Sequence, residues 1–152
     1  MFARSDQNSN PVELLVVNVN VNGTGLKRIT HAGTLLSSDS AGSWSPQRDE
    51  IMFSRHVTAV VHSTIWVVHA NGTGLHEIHI QGVACGGANS DPNGIGCADP
   101  RWSPDGKKLV VILSNAAGKN ISTVNADGTG LTQVNNGGDD FTPHGGTHPL
   151  TR

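Results

Sequence analysis

Apolar residues in this chain arrive in short bursts of strand length, separated by Gly, Asn and Asp. The segment Leu14-Leu-Val-Val-Asn-Val-Asn-Val21 has the β-branched density of a strand covered on both faces. Two later segments match it, Ile65-Trp-Val-Val-His-Ala70 and Ile121-Ser-Thr-Val-Asn-Ala126. Each leads into a copy of one nonapeptide: Asn22-Gly-Thr-Gly-Leu-Lys-Arg-Ile-Thr30, Asn71-Gly-Thr-Gly-Leu-His-Glu-Ile-His79 and Asp127-Gly-Thr-Gly-Leu-Thr-Gln-Val-Asn135. The Asn-Gly or Asp-Gly opening and the second Gly supply the positive φ of a tight hairpin loop, and the following Leu and Ile or Val begin an outgoing strand. Aligned on the nonapeptide, Val19, Val68 and Val124 form one apolar column and Val16, Ile65 and Ile121 another. The columns have opposite strand parity, so both faces of each sheet are predicted to be covered.

A second element repeats between the hairpins. Ser43-Trp-Ser-Pro46 precedes Ile51-Met-Phe53, and Arg101-Trp-Ser-Pro-Asp-Gly-Lys-Lys-Leu-Val-Val111 carries the same order. Pro ends one strand, Asp105-Gly106 turns the chain and a new apolar strand begins; Gln47 to Glu50 makes a looser turn in the earlier copy. Each Trp offers a flat surface to fill the gap between adjacent sheets. Asp140-Phe-Thr-Pro143 stands as a worn copy of the same start, and 144–152 lacks the apolar strand needed to continue, so a disordered tail is expected there. Residues 1–11 are polar and are likewise expected to be disordered.

With strand a at Trp-Ser-Pro, b after it, and c and d before and after the Gly-Thr-Gly loop, the chain reads c-d, a-b-c-d, a-b-c-d, a. The nonapeptides start 49 and 56 residues apart, a spacing suited to four-stranded propeller blades with variable loops. The expectation is an all-β partial β-propeller: strands c-d over 12–30, a blade over 41–80, a Cys-containing insertion over 81–98, a blade over 99–135, and the start of another at 140–143.

Trp-Ser-Pro-Asp-Gly-Lys-Lys-Leu at 102–109, followed by Asn-Ala-Asp-Gly-Thr-Gly-Leu at 125–131, resembles the WD40-like repeat of TolB-type propellers. The resemblance covers about Leu14 to Pro143 and implies six-bladed architecture, a periplasmic or extracellular location and a non-enzymatic role in binding a protein or peptide. The same repeat resembles the propellers of prolyl-oligopeptidase-type serine peptidases and of oligogalacturonate lyases, which gives the alternative: part of an enzyme whose catalytic portion lies outside this chain. A six-bladed ring needs roughly twice these blades. Two expectations follow. The chain is a fragment of a longer protein, or it forms a homodimer in which Asp140 to Thr142 of one copy pairs with Leu14 to Thr30 of the other.

The length of 152 residues permits one domain with a real core. Nineteen Gly, seven Pro and only 14% charged residues favour strands and turns over helix. The net charge of −2, with no basic cluster beyond Lys107-Lys108, argues against nucleic acid as partner. The longest apolar run, Leu109 to Leu113, falls far short of the roughly 18 residues that cross a bilayer, so a soluble chain with no membrane insertion is expected. Met1 to Asn10 has no apolar core and does not read as a signal peptide.

Two cysteines, Cys85 and Cys97, flank a Gly- and Asn-rich loop. Two readings stand open: a disulfide, adding about 3 kcal/mol in the chain-entropy model, or a pair of free thiols in a reducing compartment. No Gly-x-Ser-x-Gly elbow is present and neither Cys has a His beside it, so no catalytic residue is assigned. No cofactor or metal ligand is assigned either. His69, His76 and His79 cluster around one hairpin, but His76 and His79 fall on opposite faces of a regular strand. His144 and His148 read as incidental polarity in the tail. Asp91, Asn93 and Gly94 resemble the opening of a calcium loop without its later carboxylates. Asn22, Asn71 and Asn120 head glycosylation sequons, two of which coincide with the hairpin turns.

Overall fold

The structure is a computed structural model, and it describes residues 2–4, 12–16, 24–31, 37–57, 63–86 and 94–135. These hold eleven strands and, among the described residues, no helix. A middle sheet runs β4 (Ser37–Trp44), β5 (Glu50–Val57), β6 (Thr64–His69) and β7 (His76–Glu77) in spatial order. A second four-stranded sheet repeats it with β8 (Gly96–Trp102), β9 (Lys108–Asn115), β10 (Gly118–Asn125) and β11 (Thr132–Gln133). All pairings within these sheets are antiparallel, and Ile121 lies opposite Ile112 as the hairpin pattern requires. These are the two complete blades. Their first strands start earlier than the sequence suggests, at Ser37 and Gly96, because small residues that carry no strand signature pair there with β5 and β9.

Strand alternation divides the middle blade between two cores. Met52, Ile65 and Val67 point toward the third blade and share a cluster with Cys97, Trp102, Leu109, Val111 and Val124. Ile51, Phe53 and Val68 point the other way and pack with Leu14 and Ile29. Each fully buried side chain of this size contributes about 1.5–3 kcal/mol of transfer free energy. The double coverage inferred from the two apolar columns is therefore the stacking of neighbouring blades.

The remaining sheet contains β1 (Phe2–Arg4), β2 (Glu13–Val16) and β3 (Lys27–Arg28), in that spatial order. Its register departs from the sequence alignment. Leu15 and Val16 face Arg28 and Lys27 as Trp66 and Val67 face Glu77 and His76. Leu14, not Val16, thus stands where Ile65 stands, and Ile29 donates to the Leu14 carbonyl at 2.8 Å just as Ile78 donates to that of Ile65. A two-residue slip preserves which side chains face the core, so hydrophobic alternation alone cannot detect it.

That slip explains β1. Phe2, Ala3 and Arg4 face Leu15, Leu14 and Glu13, as Phe53, Ser54 and Arg55 face Trp66, Ile65 and Thr64. Met1-Phe-Ala-Arg4 repeats the sequence of Met52-Phe-Ser-Arg55, and Phe2–Arg4 occupies strand position b. Residues 2–4 are therefore not part of a disordered terminus. The pairing with β2 fixes them. The expected start of a further blade at 140–143 and the tail at 144–152 lie outside the described residues.

Two repeated devices lock the blades. Strands β4 and β8 each break register, between Ser40 and Ser43 and between Ala98 and Arg101, bulges that bend the strand. The first Gly of the hairpin loop also abuts the preceding blade: a Cβ on Gly128 would fall 2.0 Å from the His79 carbonyl oxygen, and one on Gly72 would fall 3.2 Å from that of Ile29. The Gly128 carbonyl accepts a bond from Gln81 N at 2.8 Å.

Candidate functional site

A meander places the a-b and c-d connections at one end of every blade and the b-c and d-a connections at the other. The hairpin end therefore gathers Ser45–Asp49, Ala70–Leu75, Ser103–Lys107, Ala126–Leu131 and the loop before β3. Side-chain hydrogen bonds fix the local geometry of these turns. Asn71 Oδ1 accepts from Thr73 N at 2.9 Å and from Thr73 Oγ1 at 2.6 Å. Asp127 Oδ1 accepts from Thr129 N and Oγ1 at 3.0 and 2.7 Å. Asp105 Oδ1 accepts from Ser103 Oγ at 2.6 Å and Lys107 N at 3.1 Å, and the Gln47 amide of the neighbouring blade donates to the Asp105 carbonyl.

These bonds have an electrostatic consequence. The Ser103 hydroxyl, followed by the Lys107 amide, holds the Asp105 carboxyl below its ordinary range. The Thr129 hydroxyl and amide do the same for Asp127. Both carboxylates are exposed, so the hairpin end presents fixed negative charge on rigid turns.

It also presents apolar side chains. Leu26 and Leu75 follow the second Gly of successive hairpin loops and are 53% and 39% exposed. Trp44, at the end of β4, is 40% exposed, whereas Trp102, its counterpart at the end of β8, is only 6% exposed. The neighbouring blade accounts for the difference. Ile80, just after its nonapeptide, belongs to the cluster that covers Trp102, and the residue just after the preceding nonapeptide is His31, which is exposed. A polar residue there supplies less apolar cover for Trp44.

The charged pair that the sequence reading missed lies away from this end. Asp39 on β4 and Arg55 on β5 are cross-strand partners, 1% and 9% exposed. Arg55 Nε donates to Oδ1 at 2.7 Å and Nη2 to Oδ2 at 2.9 Å. The guanidinium also lies 5.3 Å from the Phe53 ring centre and 5.0 Å from that of Trp66, within cation–π range. An Arg within an apolar strand was the available signal, since such a charge requires a buried partner. Asp39, in a Ser-rich stretch without hydrophobic periodicity, gave none.

The residues singled out as candidate chemistry are not brought into one site. His69 Nδ1 lies 3.8 Å from Glu50 Oε1, His79 Nδ1 lies 3.8 Å from Glu77 Oε1, and His76 Nδ1 bonds the Gly74 carbonyl at 2.8 Å. Among the described residues, no three His, Cys, Asp or Glu side chains are grouped to hold a metal ion. Asp91, Asn93, His144 and His148 lie outside the described residues. Cys85 and Cys97 are joined by a disulfide, their Cα atoms 5.5 Å apart, at the end opposite the hairpins. The bond ties the d-a connection to β8 beside an isolated bridge between Cys85 and Ile95. No helix among the described residues is long and apolar enough to cross a membrane.

No protein-family model matches the chain, and no curated protein matches it. Solved structures do. A TolB-type protein from Agrobacterium tumefaciens superposes with a TM-score of 0.59 at 17% identity, over 80% of this chain and 40% of that one. TolB from Acinetobacter baumannii gives 0.58 at 12% identity, over 87% of this chain and 28% of its own. The described sheets thus have the fold of part of a TolB-like propeller, and the chain spans well under half the length of these structures.

Proposed function

We propose that this chain is a non-catalytic protein-binding module, a set of propeller blades that offers its hairpin end to a protein or peptide partner. The observation that carries the proposal is the exposure of Trp44, Leu26 and Leu75 at the hairpin end, the same end at which hydrogen-bonded turns carry the exposed Asp105 and Asp127 with lowered carboxyl pKa values. Aromatic and aliphatic anchors on a rigid frame limit the ordering cost of association. Carboxylates at the same end favour a partner that carries Lys or Arg as well as apolar groups. The likeness to TolB structures supports the propeller frame on which this reading depends.

We also place the protein in an oxidising compartment, the periplasm or the extracellular space. A structural disulfide such as Cys85–Cys97 persists there and is rare in a reducing cytosol.

The test is affinity capture from extracts of the source cell with the immobilised chain, followed by binding measurements on purified partners. Trp44→Ser and Leu75→Ser are expected to weaken binding by about tenfold or more. Val134→Ser, which alters an apolar residue 63% exposed just after β11, should leave it unchanged. Equal binding by all three variants would refute the assignment of the surface.

A further inference from the structure

Asn71 and Gly72 form an Asn-Gly pair on the c-d turn of the middle blade, with the Asn71 side chain open to water. In such a pair the glycine nitrogen can attack the asparagine Cγ, because the glycine has no side chain to shield it. A C–N bond forms, the Nδ2 group leaves as ammonia, and water opens the resulting cyclic imide to aspartate or isoaspartate. Water is consumed and ammonia released, with no oxidant or reductant.

The geometry points to Asn71 as a deamidation site that a backbone hydrogen bond holds in check while the hairpin is closed. Gly72 N donates to the His69 carbonyl at 2.8 Å. Attack requires that nitrogen to give up its proton, and the bond retains it until the turn opens. The electrophile is not guarded in the same way. Asn71 Oδ1 accepts from Thr73 N at 2.9 Å and from Thr73 Oγ1 at 2.6 Å. Two donors on that oxygen stabilise the negative charge that attack places there, as an oxyanion hole does. The carbon is thus prepared and the nucleophile withheld, so the reaction waits on opening of the His69–Gly72 turn.

The third blade shows what the aspartate product does. Asp127 holds the position of Asn71 and accepts from Thr129 N and Oγ1 at 3.0 and 2.7 Å. Gly128 N donates to the Asn125 carbonyl at 2.9 Å, as Gly72 N does to that of His69. Conversion of Asn71 to aspartate therefore leaves the turn intact and adds a carboxylate to the hairpin end. Isoaspartate fits less well. Its extra main-chain carbon displaces Gly72, where a Cβ would already fall 3.2 Å from the Ile29 carbonyl oxygen of the first blade. This modification stands whether or not the hairpin end binds a protein.

The full chain is incubated in mildly alkaline buffer beside a synthetic peptide of residues 66–76. Peptide-mapping mass spectrometry follows Asn71, and hydrogen exchange follows the Gly72 amide. In the folded chain both rates are expected to be about tenfold or more below those of the peptide. Gly74→Ala, which would set a Cβ 2.4 Å from His69 Cδ2, should raise both together. Circular dichroism verifies that this variant folds; urea below the unfolding transition of the unaltered chain is the second perturbation and should also raise both. Asn71→Asp should leave the thermal midpoint unchanged. Deamidation of the folded chain at the peptide's rate overturns the proposal. So does an Asn71 rate that stays fixed while Gly72 exchange rises, and a lowered midpoint for Asn71→Asp overturns the account of the product.

Discussion

Arg55 holds Asp39 in a two-pronged grip across the first strand pair of the middle blade, Nε to Oδ1 at 2.7 Å and Nη2 to Oδ2 at 2.9 Å, with both side chains nearly out of water. A buried pair of this kind adds little net stability over apolar residues of equal volume, because desolvation offsets the attraction. Removing one member is another matter. Asp39→Ala should cost about 3–5 kcal/mol by stranding the guanidinium, whereas Asp39→Leu combined with Arg55→Met should recover most of the loss. Urea unfolding monitored by circular dichroism measures both; equal losses in the single and double variants would contradict this account.

The two Trp-Ser-Pro tryptophans should differ in their effect on stability. Trp102 is buried between blades and Trp44 is 40% exposed. Trp102→Ala is expected to cost about 3–5 kcal/mol, and Trp44→Ala about 1–2 kcal/mol, since less area leaves water there. Comparable denaturation midpoints for the two variants would mean that the blades are not stacked as described.

Gly128 and Gly25 separate backbone strain from lack of space. Both have positive φ, 86° and 72°. A Cβ at Gly25 meets nothing within 4 Å, while at Gly128 it meets the His79 carbonyl oxygen at 2.0 Å. Gly25→Ala should cost about 1–2 kcal/mol from the left-handed conformation alone. Gly128→Ala should cost more and should raise hydrogen exchange at Gln81, whose amide bonds the Gly128 carbonyl.

Asp105 and Asp127 confer an acid dependence whose sign is fixed by their lowered pKa values. A carboxyl whose folded pKa lies below its unfolded one stabilises the fold above the unfolded pKa, about 3.9 for Asp. That contribution is lost as pH falls through the depressed folded value. Asp127→Asn should keep the turn, because Asn71 makes the same two bonds to Thr73. It should also flatten the fall of the melting temperature as pH drops below the ordinary Asp range, about 3.9. An unchanged slope in scanning calorimetry would show that the Thr129 bonds do not persist in solution.

Local chemistry announced a large part of this fold. The hairpin turns were legible because Asn-Gly-Thr-Gly and Asp-Gly-Thr-Gly leave the backbone few alternatives, and both complete blades followed from the order of Trp-Ser-Pro and that loop. The first blade was less legible. Met1-Phe-Ala-Arg4 matches Met52-Phe-Ser-Arg55, yet three residues of strand among polar neighbours look like a terminus until a partner strand fixes them.

By itself, then, the sequence determined strand type, turn chemistry and the requirement that each sheet be covered on both faces, all of which depend on residues close together in the chain. Tertiary structure decided the two-residue register of β2, the pairing of Asp39 with Arg55 and the unequal burial of Trp44 and Trp102. Register survives any even slip as far as alternation is concerned, and a side chain's burial or charge partner depends on what the neighbouring strand or blade places opposite it.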